Sequence, residues 1–276
     1  MENREGIGTF TVLEIADGKR GGKPRVRRPE LVRVAVPGGS FFYVLRAPRR
    51  SDPQMLFRLA ARCAPDVLTA LPVPPDAPVR PFEPCAFPLR RAAAALCAIL
   101  PLTRLPPQKL TVGAADPQGA LCGRTQMLLP LASDVRIVTR QPDAFAFDAL
   151  SARRRFGVSL TVGEDASLLA HCDAVVCAAP DEAFRDVPLL LSCMPSDGAF
   201  SPLPVRLPDS LARLCPQSVP PDLFAAALAE KCGVRVPEWS ACTGVLFADR
   251  PVQAEQAAAL WRERIRKKAR TGENRE

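Results

Sequence analysis

Short apolar runs separated by turns that contain glycine or proline cover most of this chain. In its first part, three such runs predict strands over 9–15, 31–36 and 40–45. The last two are separated by Pro37-Gly38-Gly39, a short loop that suits a β-hairpin. We therefore predict that the chain begins with an antiparallel meander of three strands.

Helical spacing of apolar residues follows this region. Asp52 and Pro53 supply a cap and a first-turn proline for a helix that continues to about Arg62. Its predicted apolar face consists of Met55, Leu56, Leu59 and Ala60. Prolines then recur from Pro72 to Pro88, which excludes a helix or a central strand there. This extended connector leads to a second predicted helix over 89–100.

After Pro106 short strands alternate with helices, the pattern that predicts a parallel sheet. The strands carry apolar runs without polar alternation, as a sheet covered on both faces requires. The predicted strands are 110–114, 135–139, 158–162, 174–178 and 187–193. The predicted helices are 117–129, 143–156 (ending at Gly157) and a short one capped by Asp165 that ends at His171.

The last part of the chain combines a loop-rich segment, 196–221, with two helices. The first helix is predicted over 222–232 and ends at Gly233. The second, over 253–268, presents one apolar side and ends in a charged tail. We predict an α/β protein with a Rossmann-like parallel sheet, preceded by a small α+β region with an antiparallel meander. The expected divisions are 1–104, 105–250 and 251–276.

Charge and cysteine content narrow the function classes. The formal charge of +8 permits an anionic partner, but no dense basic helix or basic stripe with interleaved aromatics accompanies it. The cysteines are scattered, without a Cys-x-x-Cys pair or a histidine cluster, which argues against a metal site and a disulfide scaffold. We interpret them as small core residues in a reducing, bacterial-type cytosol.

Neither the start of the chain nor its longest apolar runs suggest a membrane protein. The first ten residues, MENREGIGTF, contain no apolar signal core. The longest apolar runs fall short of the ~20 residues that a membrane span needs. The expectation is a cytoplasmic protein without a membrane partner.

Four motifs in the middle of the chain carry a family resemblance: LTVGAADPQG (110–119), VRIVTR (135–140), RRFGV (154–158) and DAVVCAAP (173–180). The region 109–180, about a quarter of the chain, resembles the NAD(P)-binding Rossmann superfamily. It is similar in particular to the nucleotide domains of shikimate dehydrogenases and of the A subunit of dipicolinate synthase. The resemblance implies a parallel sheet that binds a nicotinamide cofactor, with the segment around Ala179 beside the nicotinamide.

The first strand and its turn would supply the phosphate-binding loop. In a G-x-G-x-x-G fingerprint the glycines allow a tight turn and close approach of the pyrophosphate. The candidate positions are Gly113, Ala115 and Gly119. The motif is incomplete whether Gly113 is taken as its first glycine or Gly119 as its last. Asp116 and Pro117 offer a second interpretation, a self-capped helix. The carboxylate of Asp116 would take the amide hydrogens that a phosphate needs, and a dinucleotide would meet its negative charge.

Arg140, at the end of the second strand of this region, favours a cofactor. NADP-using relatives place a basic residue there to meet the ribose phosphate, so that the cofactor, if one is bound, would be NADP. An arginine at a strand end is also common as an exposed surface residue. Both interpretations stay open.

Three further features could carry chemistry. His171 lies at a predicted helix end, where interaction with the helix dipole accounts for it without catalysis. Cys193 lies at the sheet edge where ligands bind, but no base that would activate its thiol is identifiable. The basic loop 18–28 could bind nucleic acid, yet it lacks an aromatic residue for base stacking.

These features lead to a hypothesis and an alternative. The hypothesis is a Rossmann-like binding or regulatory module without hydride chemistry, which binds a small molecule or nucleotide and can have a protein partner. The alternative is an NADP-dependent oxidoreductase with an atypical phosphate loop and unknown catalytic residues. Nucleic acid is a disfavoured partner.

Overall fold

The computed structural model describes residues 9–16, 28–184, 186–193, 198–235 and 244–273, with side chains up to residue 267. The described strands are β1 (Thr11–Ala16), β2 (Glu30–Ala35), β3 (Phe41–Pro48), β4 (Asp66–Thr69), β5 (Arg80–Pro81), β6 (Thr111–Ala115), β7 (Asp134–Val138), β8 (Ser159–Gly163), β9 (Ala174–Cys177), β10 (Leu189–Ser192), β11 (Phe200–Pro202), β12 (Gly244–Phe247) and β13 (Arg250–Gln253). The described α-helices are α1 (Pro53–Ala61), α2 (Phe87–Ile99), α3 (Ala146–Ser151), α4 (Asp209–Ala212), α5 (Pro221–Lys231) and α6 (Ala254–Glu273).

The chain divides into two compact units. The first comprises 1–84 and 204–236, and the second comprises 85–203 and 237–276. This division differs from the expected one, because α2 belongs to the second unit and α5 to the first. The apolar side chains of α2 share a buried core with the strands of the second unit, which explains its place there.

The first unit contains a sheet with the strand order β2-β3-β1-β4-β5. The predicted meander is wrong in one pairing: β2 and β3 are antiparallel, whereas β1 pairs in parallel with both β3 and β4. Burial explains the difference. Thr11, Val12 and Leu13 are almost completely buried, which suits a central strand covered on both faces. Most of β2 is exposed, which suits an edge strand.

Local signals in this unit are confirmed. Gly38 and Gly39 have φ values of 99° and 86°, so the hairpin turn uses backbone conformations that favour glycine. Helix α1 begins at Pro53, and the side chain of Asp52 accepts the N–H groups of Gln54 and Met55. Gly233, with φ of 67°, follows the end of α5.

The second unit contains the larger sheet, with the order β13-β12-β11-β10-β9-β6-β7-β8. Strands β6 to β11 are parallel. If they are numbered 1 to 6 along the chain, their order across the sheet from the β8 edge is 3-2-1-4-5-6. This is the strand order of the doubly wound Rossmann fold. The predicted α/β class with a Rossmann-like parallel sheet is confirmed, and the order reverses between β6 and β9.

The predicted helix over 117–129 is wrong. Turns follow β6, with short 3-10 segments at Thr125–Met127 and Leu129–Leu131. Gly119 and Gly123 have φ values of 71° and 70°, which a right-handed helix does not contain. Carboxylates also bind amides that a helix would use, since Asp148 accepts the N–H of Gly123 at 2.8 Å and Asp116 accepts two more.

The next two predicted helices are shorter than expected, although their signals are in place. A 3-10 segment over Pro142–Phe145 precedes α3, and a π-helical segment over Ala152–Phe156 follows it. Gly157 ends this run in the left-handed conformation, as predicted. Asp165 caps its segment by accepting the N–H of Ser167, but the segment Ala166–Leu169 is a 3-10 turn.

Strands β11 to β13 were missing from the sequence prediction. Strand β12 is antiparallel to both β11 and β13. Contacts between aromatic rings hold this end of the sheet: Phe200 stacks on Phe247 at 4.7 Å and meets the edge of Trp261, on α6, at 5.5 Å. Because these contacts join residues far apart in the sequence, the local pattern of apolar residues does not predict these strands.

Two features named in the sequence analysis lie wholly or largely outside the described residues. They are the basic loop 18–28, of which only Arg28 is described, and the end of the charged tail. In the described part of the chain, no helix is long and apolar enough to cross a membrane.

Candidate ligand site at the carboxyl edge of the sheet

The carboxyl ends of the central parallel strands bring five residues into one row. The register pairs Ala115 at the end of β6 with Val138 on one side and Cys177 on the other. The residues that follow each strand end therefore lie side by side along the edge. In spatial order they are Glu164, Thr139, Asp116, Ala178 and Cys193. In open α/β sheets ligands bind at this edge, where the strand order reverses.

Asp116 occupies the centre of the row and is 1% exposed. Its Oδ1 accepts the N–H of Ala120 and its Oδ2 accepts the N–H of Leu121, both at 2.7 Å. Its own N–H donates to the carbonyl of Val138 at 2.8 Å. Both carboxylate oxygens therefore bind the loop that follows β6.

Two opposing effects act on the pKa of Asp116. Burial raises the pKa, while the amide hydrogen bonds and the positive charge of Arg90 lower it. Burial prevails, so the pKa lies above its usual value of 3.8. The charged form of Asp116 is thus held in the protein at a cost in solvation, which the hydrogen bonds partly offset.

Arg90 completes the same arrangement from α2. Its Nε donates to the carbonyl of Ala120 at 2.9 Å. Since Asp116 accepts the N–H of Ala120, the two side chains hold both main-chain groups of one residue. Sequence reasoning missed Arg90. The available signal was a pair of arginines, Arg90 and Arg91, at the start of a helix that is otherwise apolar.

The five residues proposed from the sequence for cofactor binding lie in four kinds of place. Ala115 ends β6 at the row, while Arg140 and Ala179 are exposed and follow it. Gly119 lies in the loop after β6, where its positive φ shapes the turn. Gly113 lies inside β6, where an added Cβ would meet Leu169 Cδ2 at 2.7 Å. The structure thus gives Gly113 a packing contact, and the other four lie at or beside the carboxyl edge.

The thiols of Cys193, in the row, and of Cys177, at the end of β9, are poor nucleophiles. Burial raises the pKa of Cys193 to about 12, with a further rise from Cys177 and a lowering from Arg91. Burial likewise raises the pKa of Cys177 to about 12. Both thiols are protonated near neutral pH, and the nucleophilic form is the thiolate. His171 is exposed, in the turn between the segment Ala166–Leu169 and β9. Among the described residues, no group of three His, Cys, Asp or Glu is placed to hold a metal ion.

Fold and site together define a doubly wound Rossmann-like protein. The loop after β6, the first strand of its parallel sheet, is bound by the carboxylate of Asp116. No protein-family model matches the chain. No curated protein matches it either.

Solved structures with some similarity to the chain include three dehydrogenases. An L-tryptophan dehydrogenase from Nostoc punctiforme is 12% identical over 85% of this chain and 79% of that one, with a TM-score of 0.30. A quinate dehydrogenase from Corynebacterium glutamicum, in complex with NAD, is 12% identical over 83% and 88%, with a TM-score of 0.29. A Mycobacterium tuberculosis shikimate dehydrogenase is 16% identical over 54% and 59%, with a TM-score of 0.27. At these scores the fold assignment rests on the strand order of the sheet.

Proposed function

We propose that this chain is a Rossmann-like binding module without hydride chemistry. The observation that carries the proposal is the pair of hydrogen bonds from Ala120 and Leu121 to the carboxylate of Asp116. In dinucleotide-binding proteins the amides after the first strand receive the pyrophosphate, at the start of a helix whose dipole favours negative charge. Here an internal anion receives them.

Two contributions to pyrophosphate binding are therefore missing at this loop. The amides of Ala120 and Leu121 are engaged, and between β6 and β7, where the structure describes every residue, no α-helix begins whose dipole could add to binding. A pyrophosphate placed there would also meet the like charge of Asp116. The expected affinity for a dinucleotide is correspondingly low.

A different ligand suits the rest of the edge. Arg90 lies on the β6 side of the row, and Arg91 lies near enough to Cys193 to lower its pKa. Both guanidinium groups come from α2 and place positive charge on the two sides of the strand-order reversal. This arrangement favours a small anionic molecule, with a carboxylate or a single phosphate, that does not need the loop amides.

Titration of the full chain with NADPH and NADH tests the proposal. Isothermal titration calorimetry should show no saturable heat with either dinucleotide. A thermal-shift screen of small carboxylates and monophosphates should raise the melting temperature, because a ligand that binds the native state stabilises it. Saturable dinucleotide binding would overturn the proposal.

The alternative is an NADP-dependent oxidoreductase, and Arg140 is the observation that favours it. Its side chain is exposed two residues after the end of β7, and its N–H reaches the carbonyl of Pro117 on the loop after β6 at 3.4 Å. On this reading Arg140 binds the ribose phosphate while Ala179 lies beside the nicotinamide. Arg140→Ala should then weaken NADPH binding, whereas Arg58→Ala, which removes an exposed arginine from α1, should leave it unchanged.

A further inference from the structure

Strand β8 lies at one edge of the large sheet. In the part of the chain that the structure describes, its only neighbour is β7. Such an edge presents unpaired main-chain groups, and proteins usually cover, bend or charge it. The residues of β8, SLTVG, carry no charge; Ser159 and Thr161 are exposed, and the other three are partly buried. This edge is therefore suited to pairing with another strand.

The hydrogen bonds to β7 show which groups of β8 remain for a new neighbour. Ser159 donates its N–H to the carbonyl of Ser133 at 3.2 Å, and the carbonyl of Gly163 accepts the N–H of Thr139 at 2.8 Å. Main-chain groups alternate in direction along a strand, so those of Leu160 and Val162 point away from β7. These two residues hold the donors and acceptors of the open edge.

An apolar surface lies beside this edge on the α3 side. Phe147, Leu150 and Phe156 are 72%, 48% and 42% exposed, which is unusual for three large apolar side chains so close in sequence. Leu150 also lines a pocket of about 610 Å³, together with residues of the segment after α3 and of β8, including Arg153 and Leu160. The surface thus continues from helix to strand edge.

Charge is distributed unevenly along the same edge. Arg153, Arg154 and Arg155 precede β8 and are exposed, and within the described residues none of them forms an ion pair. Glu164 and Asp165 follow β8 and are also exposed. The amino end of the edge is therefore basic and its carboxyl end acidic, so an antiparallel second copy would meet opposite charge at both ends.

We propose that β8 pairs with β8 of a second copy of this chain, antiparallel and about a two-fold axis through Thr161. This register places Leu160 opposite Val162 of the second copy, and their outward main-chain groups can form the two hydrogen bonds of an antiparallel pair. The axis creates the same pair again. Thr161 faces its own counterpart, and Val158 lies opposite Glu164 of the second copy.

The symmetric pairing explains the neighbouring features together. The two copies of α3 lie on the same face of the continuous sheet, so the exposed apolar side chains and the pocket of each copy face the other copy. Arg153, which lines the pocket, approaches Glu164 of the second copy. The partner is thus a second copy of this chain, because the complementary surface is present on the chain itself.

Sedimentation velocity and a cysteine cross-link test the pairing on the full chain. Wild-type protein should sediment with twice the 29.8 kDa mass of the chain as concentration rises. Thr161→Cys should form a covalent dimer on oxidation, since opposite residues of a pair without mutual hydrogen bonds have close Cβ atoms. Ser159→Cys, which would face Gly163 of the second copy, and the wild type are the matched controls and should not form it.

Charge reversal gives an independent readout. Arg153→Glu and Glu164→Arg should each weaken the dimer, and the double variant should restore it, while Arg58→Glu should have no effect. Circular dichroism establishes that each variant is folded. Wild-type protein that remains monomeric at all concentrations, or Ser159→Cys that cross-links as well as Thr161→Cys, would overturn the proposal.

Discussion

Asp116 and Arg90 hold the same residue, Ala120, by its two main-chain groups. The carboxylate accepts the N–H at 2.7 Å, and the guanidinium donates to the carbonyl at 2.9 Å. One side chain comes from the end of β6 and the other from α2. The loop after β6 is therefore held by opposite charges of the protein itself, in the place where a dinucleotide fold usually holds a phosphate.

Replacement of Asp116 should destabilise the protein. Asp116→Ala leaves two buried N–H groups without their acceptors, and the free energy of unfolding should fall by roughly 3 kcal/mol, because a hydrogen bond to a charged group contributes about 1.5–3 kcal/mol. Asp116→Asn keeps one acceptor and should lose less. Urea unfolding of both variants measures the difference, and an unchanged midpoint in Asp116→Ala would contradict it.

The raised pKa of Asp116 predicts a direction for the pH dependence of stability. The folded protein binds the proton at a higher pH than the unfolded chain, whose value is near 3.8. This contribution to stability is therefore complete below pH 3.8 and is lost as the pH rises through the folded value. Relative to Asp116→Asn, the wild type should gain stability as the pH falls from neutral towards 4. A loss over the same range would show that the pKa is lowered.

The raised pKa values of Cys177 and Cys193 predict slow alkylation. At neutral pH both thiols should react with iodoacetamide far more slowly than exposed Cys122, because their thiolate fraction is small and both are buried or half-buried. Mass spectrometry of peptides after timed labelling measures each site, with urea-unfolded protein as the control. Labelling of Cys193 as fast as Cys122 would restore it as a candidate nucleophile.

Gly113 should tolerate no side chain, for reasons of packing. The Cβ of Gly113→Ala would lie 2.7 Å from Leu169 Cδ2 and 2.9 Å from Cys172 Sγ, so the turn over β6 must shift. Overpacking of this kind costs about 1–3 kcal/mol. Gly113→Ala should therefore cost less stability when it is introduced into Leu169→Ala than when it is introduced into the wild type. If Gly113→Ala lowered the free energy of unfolding equally in both backgrounds, contact with Leu169 would not be the reason for the glycine.

Local signals predicted much of the backbone. The apolar runs that became β6 to β10 lie within a few residues of the predicted strands, and the stops at Gly157 and Gly233 are where expected. Asp52 caps α1 as predicted. Each of these depends on neighbours a few positions away along the chain, which is why sequence alone sufficed.

The loop after β6 shows where local reasoning ends. Asp116 and Pro117 favour the start of a helix, and the sequence predicted one. Asp116 does accept main-chain N–H groups, but those of Ala120 and Leu121, four and five residues on, across a turn that contains Gly119. Asp148, from α3, fixes the same loop further along. Contacts from a distant element thus overrode a helical preference.

The sequence by itself determined the segments that form β1 to β3 and β6 to β10, where several helices begin or end, and that the middle of the chain is a parallel sheet. Tertiary structure decided that β1 lies between β3 and β4, that β11 to β13 extend the large sheet, and that Arg90 meets the loop after β6. The physical reason is the distance along the chain over which each interaction acts. Capping, turns and apolar periodicity act over a few residues, whereas strand order and the partners of buried charges depend on surfaces that meet only when the chain folds.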